Sequence, residues 1–257
     1  RGGASGVSAD AFHWLRRHFN TYLDMIRVGW YRQNLLYTTW YDLRRKPCVD
    51  SSELGWPFCE AAKPLDEPTA KERLASVHRE LASRGVALDG MVLDDGWDDP
   101  EDPWHVEAAN FPRGLAPLSA AAGALNASLG IWLSPWGGFG AGGKRRLLAA
   151  AARGFEVHED HRALRSSGPK YRARLRNCTR ELVGNASVRV VKLDGFGEGT
   201  GANGAGRFAA DVDHILWLSE EVREFAKPKS AEVWVSAATG AWPSPFWLLW
   251  ADAVWRG

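Results

Sequence analysis

Three short apolar runs in this chain end on charged or aromatic residues and then on glycine. They are Met91-Val92-Leu93-Asp94-Asp95-Gly96-Trp97, Ile131-Trp132-Leu133-Ser134-Pro135-Trp136-Gly137-Gly138 and Val190-Val191-Lys192-Leu193-Asp194-Gly195-Phe196-Gly197. Each reads as a buried strand that delivers polar groups at its C-terminal end and then stops. The pattern places strands at Val86 to Asp95, Leu129 to Pro135, Val188 to Asp194 and Glu232 to Ala237, with a further β-rich run from Asn34 to Leu43. Between them the apolar spacing turns helical. Leu74, Val77 and Leu81 share one face of a helix from Thr69 to Arg84, and Gly85 is a good stop. Leu118 to Leu125, Lys144 to Ala152, Pro169 to Val183 and Gly206 to Phe225 are the other helices, with Pro169 suited to a first turn. Pro245 to Trp255 reads as helix-like. Ahead of all this, Phe12, Leu15, Phe19, Leu23 and Ile26 make a helix face between about Ala9 and Val28.

The chain therefore divides into a helical lead-in, residues 1–33, and a β/α series, residues 34–257. Strand–helix alternation predicts a parallel α/β sheet. An open nucleotide-binding sheet carries a glycine-rich phosphate turn after its first strand, but here that turn is Asp42-Leu43-Arg44-Arg45-Lys46. Polar residues at nearly every strand end fit the mouth of a (β/α)8 TIM barrel better. Five strands are legible where a barrel needs eight. The chain is therefore expected to be a fragment holding about the first five β/α units, with the C-terminal strands not included. The basic cluster Arg44-Arg45-Lys46 reads as a solvated turn, and the acidic stretch Asp94 to Asp102 as a solvated loop.

Composition narrows the function. Lys and Arg number 32 against 31 Asp and Glu, a net charge of +1. That excess is too small to point to nucleic acid or an anionic membrane surface, and no apolar run reaches the length of a membrane span. The three cysteines, Cys48, Cys59 and Cys178, match no zinc spacing. Cys48 and Cys59 suit a single loop-closing bridge in an oxidising compartment. Sequons at Asn126, Asn177 and Asn185 lean toward a secretory route. Neither metal nor cofactor is expected. The outlier is tryptophan, 14 residues. An indole stacks on the C–H face of a pyranose, and it also fills a core. Trp40, Trp136 and Trp242, beside strand ends, are candidates for either role.

Taken in order, Asp94-Asp95-Gly96-Trp97, Trp132-Leu133-Ser134-Pro135 and Lys192-Leu193-Asp194 resemble the strand-end motifs of the clan of retaining α-galactosidases and raffinose-synthase-like enzymes. Asn110-Phe111-Pro112-Arg113-Gly114-Leu115 resembles the clan's link between the first two. The resemblance runs from about Asn34 to Asp194. It implies a retaining glycoside hydrolase acting on α-linked sugars, α-galactosides foremost, through a glycosyl-aspartate on Asp194. It further implies that Asp94, Asp95 and Lys192 bind sugar hydroxyls. The partner expected is a small-molecule or oligosaccharide substrate.

The residue chemistry agrees with that expectation. Retaining hydrolysis uses two carboxylates about 5 Å apart, one a nucleophile and the other a proton donor. Lys192 lies two residues before Asp194 on one strand, so both point to the same face, where an ammonium meets the negative charge that attack requires. Asp-Gly is also an ordinary turn pair, so Asp194 has a plain structural reading as well. Beyond Asp194 the sequence departs from the clan at Ala237-Ala238-Thr239-Gly240-Ala241-Trp242-Pro243. Asp252 is the downstream aspartate left as candidate acid. The rivals are a galactosyl transglycosylase, an inactive carbohydrate-binding barrel, and a metal-dependent hydrolase built on Asp94, Asp95 and Asp194.

Overall fold

The computed structural model describes residues 8–46, 62–159, 163–195, 209–239 and 244–256. Its centre is one all-parallel sheet of six strands: β1 (Leu36–Thr38), β4 (Gly90–Leu93), β5 (Ser128–Leu133), β6 (Val190–Asp194), β7 (Trp234–Thr239) and β8 (Ala253–Arg256), side by side in chain order. Two very short strands, β2 (Leu43–Arg44) and β3 (Lys63–Pro64), pair separately. The helices are α1 (Ala9–Ile26), α2 (Glu67–Ala82), α3 (Ala116–Ala124), α4 (Gly140–Ala152), α5 (Pro169–Gly184) and α6 (Ala209–Ala226).

Paired residues in a parallel sheet share a face, so the register sorts the side chains. Met91, Leu93, Ile131, Leu133, Val191, Leu193, Val235 and Ala237 fall on one face and join the core under the helices. Thr38, Val92, Gly130, Trp132, Lys192, Asp194, Ser236, Ala238 and Trp255 fall on the other. The sheet bends toward that second face. Cα atoms of β4 and β6 come within 8 Å across the intervening β5, where a flat sheet would hold them about 9.6 Å apart. The result is a half-barrel with a concave, polar-lined face. Gly130 makes the bend possible. A Cβ there would lie 2.7 Å from Val190 Cβ and 3.0 Å from Val92 Cγ2, its neighbours on the flanking strands.

The sixth strand corrects the sequence reading. Pro245–Leu249 is a short 3-10 turn, and the residues after it extend as β8. An apolar, aromatic run this short has no periodicity to separate helix from strand. The basic turn is corrected too. Arg44 is buried, and the guanidinium of Arg45 reaches Asp98 and Glu107. α1 lies outside the sheet, with Phe12, Trp14, Leu15, Phe19 and Met25 exposed. It touches the 245–249 turn, and Val28 N donates to Leu248 O (2.7 Å). Cys178 is buried in α5, and burial pushes its thiol pKa up to about 12. Cys48, Cys59 and Trp242 lie outside the described residues.

Candidate active site

The C-terminal ends of β4, β5 and β6 converge on the concave face. Lys192 Nζ sits between two carboxylates, 2.9 Å from Asp94 Oδ2 and 3.9 Å from Asp194 Oδ2. Asp94 is nearly closed off, its side chain 3% exposed. It accepts from Thr38 Oγ1 (3.2 Å), while its own backbone N donates to Thr39 Oγ1 (2.8 Å). Asp194 remains 22% exposed. Trp132 Nε1 donates to its Oδ2 (2.8 Å) and Gly195 N to its Oδ1 (2.9 Å). The second bond is the turn contact of an Asp-Gly pair, made possible by Gly195 at φ +71°. The first is not a turn contact. An indole from the neighbouring strand orients the carboxylate toward the open face. A carboxylate held by two donors, with lone pairs still free and a cation beside it, is equipped to attack an electrophilic carbon.

Asp95 points elsewhere. It pairs with Arg146 of α4, a fully buried guanidinium that also binds Asp98 Oδ1 (2.6 Å) and Oδ2 through Nε (2.8 Å). Arg146 lies over the rings of Trp104 (4.9 Å) and Trp132 (5.3 Å). Burial pushes the Asp95 carboxyl up from its ordinary value, with the nearby Asp98 adding to the effect against the pull of Arg146. Burial would also raise Asp98, but Arg146 and Arg45 overcome it and hold that carboxyl low. The acidic stretch read as a solvated loop is therefore partly an internal ion cluster behind Trp132.

The tryptophans separate. Trp136 is 6% exposed, donates through Nε1 to Gly195 O, and packs on the strand-end turn. Trp40 follows β1 in a 3-10 turn, with the Arg44 guanidinium 3.4 Å from its ring centroid. Neither indole offers a fully open face. Asp252 stands furthest from the expectation. It precedes β8, takes bonds from Arg223 of α6 and Val235 N (2.7 Å each), and has Gly29 against its Oδ1. By register it lies level with Val191 and on the helical side of the sheet, away from Asp194. It is the candidate only as the downstream aspartate left in the sequence.

Trp132, Thr38, Thr39 and Arg146 are the partners that sequence reasoning left unassigned. Trp132 was detectable: it stands opposite Lys192 once β5 and β6 are paired in register. Among the described residues no cluster of three or more His, Cys, Asp or Glu is arranged to hold a metal ion, and no helix is long and apolar enough to cross a membrane.

No protein-family model matches the chain, and no curated protein matches it. Solved structures do. The alpha-galactosidase from Lactobacillus brevis superposes with a TM-score of 0.57 at 15% identity, covering 88% of this chain and 30% of its own. The galactosidase domain of the alpha-galactosidase-sucrose kinase AgaSK gives 0.56 at 15%, with the same coverage. The GH36 alpha-galactosidase AgaA A355E from Geobacillus stearothermophilus, in complex with 1-deoxygalactonojirimycin, gives 0.55 at 14%, again over 88% and 30%. The chain thus spans about a third of the length of these proteins, and what it shares with them is the fold: a parallel half-barrel of the kind found in GH36 alpha-galactosidases.

Proposed function

We propose that this protein acts on α-linked galactosides by retaining chemistry, with Asp194 as the nucleophile. The observation that carries the reading is the Asp94–Lys192–Asp194 arrangement, with Trp132 Nε1 on the outer carboxylate. In the first step a lone pair of Asp194 forms a bond to the anomeric carbon. The bond to the leaving oxygen breaks, and its electrons depart with the protonated aglycone. In the second step water attacks the same carbon and gives its proton to the conjugate base of the acid that protonated the aglycone. The bond to Asp194 breaks and returns its electrons to the carboxylate. Asp94 and Lys192 hold sugar hydroxyls. The proton donor is a group other than Asp252, which is turned to α6, or Asp94, which is tied to Lys192.

A substrate whose leaving group needs no proton tests this directly. A fluorinated galactosyl fluoride expels fluoride unaided and stalls at the glycosyl-enzyme. The expected result is one sugar per chain, mapped by peptide mass to Asp194, and none on Asp194→Asn. A folded wild-type protein that stays unlabelled by galacto- and gluco-configured reagents defeats the reading. The position of Asp252 favours one second reading, a half-barrel that binds sugar without turning it over. Measurable galactose affinity without any adduct selects it. A galactosyl transglycosylase would give the same adduct, and discharge to a sugar faster than to water identifies it.

A further inference from the structure

Most indoles near the site are enclosed: Trp97, Trp104, Trp132 and Trp136 are 0–6% exposed. Trp255 is 53% exposed. It stands on the concave face, level with Ala238 and, one strand further, with Asp194. Lys192 Nζ lies 5.3 Å from its ring centroid. The floor between Asp194 and Trp255 is made of small side chains: Ala238 at their level, with Ser236 and Ala253 one step below. Two strand spacings put about 10 Å between the two Cα atoms. An indole and a carboxylate therefore stand on either side of a floor of small residues, with the Lys192 ammonium between them, 5.3 Å from the ring centroid and 3.9 Å from Asp194 Oδ2. A sugar ring stacked on an indole sits about 4 Å from it, which leaves its far edge toward Asp194.

We infer that Trp255 is the stacking wall of a one-ring pyranose slot, with Ala238 and Ser236 beneath and Asp194 opposite. The inference rests on the glycosidase reading and adds to it the residue that selects a sugar by its apolar C–H face. A pyranose supplies both a C–H face for the exposed indole and hydroxyls for Lys192. Trp14 and Trp30 are also exposed, but they belong to the lead-in, whose Gly29 lies against Asp252 on the helical side of the sheet.

The test follows the concentration dependence of labelling by the fluorinated galactosyl fluoride. Trp255→Met keeps apolar bulk without an aromatic face, and Trp255→Phe keeps the face. Trp255→Met is expected to raise the half-saturating concentration about tenfold with little change in the limiting rate, and Trp255→Phe about threefold or less. Trp30→Ala should change neither. If wild type is labelled at Asp194 and Trp255→Met saturates like wild type, the slot is refuted and the glycosidase reading stands. If folded wild type is not labelled and binds no sugar, both fall. Should Trp255→Met fail to fold, Trp255→Phe decides: a rise well beyond threefold, or a drop in limiting rate alone, refutes the stacking role.

Discussion

Asp95 and Asp98 share one guanidinium and carry opposite burdens. Asp98 is fully buried, paired with both Arg146 and Arg45, and its carboxyl is held below its ordinary value. A lowered folded-state pKa contributes stability that is present above about pH 4 and lost as pH falls through the folded value. Asp95, raised by burial, contributes in the reverse sense: its share is present at low pH and lost as pH rises through its folded value. Asp98→Asn is therefore expected to cost about 3 kcal/mol at pH 7 in urea unfolding, a penalty that shrinks below about pH 4. Asp95→Asn at pH 7 should cost less than about 1 kcal/mol. Equal penalties for the two would contradict this division. None of it was legible in the sequence, where the aspartates formed a simple acidic run and Arg146 was one basic residue on a helix. Lys192 and Asp194 were legible, because alternation along a strand fixes their common face whatever the helices do.

The elements were recognisable in outline because a buried parallel strand leaves a solid apolar run and an amphipathic helix leaves a stripe. Their ends were less so. α4 begins inside a glycine-rich run, at Gly140, where propensity argues against a helix. β8 lies in an aromatic stretch too short to show a period. The sheet's curvature was hidden as well, since it depends on which residue lies beside which. Gly130 occupies the place where Val92 and Val190 close over β5. Gly130→Ala is expected to lower stability by about 2 kcal/mol through overpacking. Adding Val92→Ala should recover part of that loss, since neighbours in contact couple. Additive losses in the double variant would show that a methyl at Gly130 does not press on Val92.

Across the whole molecule, stability is unevenly spread. The helices over the sheet seal a continuous core, whereas α1 keeps its aromatic residues in solvent and rests on the 245–249 turn. Segments with few buried contacts open first. Brief chymotrypsin treatment is expected to cut within α1, at Phe12, Trp14, Leu15, Phe19 or Tyr22, before any site within β4, α3, β5, α4, α5, β6, α6 or β7. First cleavage inside α5 or α6 would reverse that ranking. The fold class was readable from strand–helix alternation and its polar strand ends. Asp252 became the candidate acid only as the downstream aspartate left, and the strand register turns it toward α6.

Cys178 gives that uneven stability a clock. A thiol buried in α5, with its pKa near 12, offers almost no thiolate to an alkylating reagent while the helix stays seated. In a Cys48→Ser, Cys59→Ser background, the rate at which iodoacetamide marks Cys178 should therefore follow the opening of α5. It should rise with urea and fall when a sugar fills the concave face, so that one sulfur atom times the breathing of the half-barrel from behind the site.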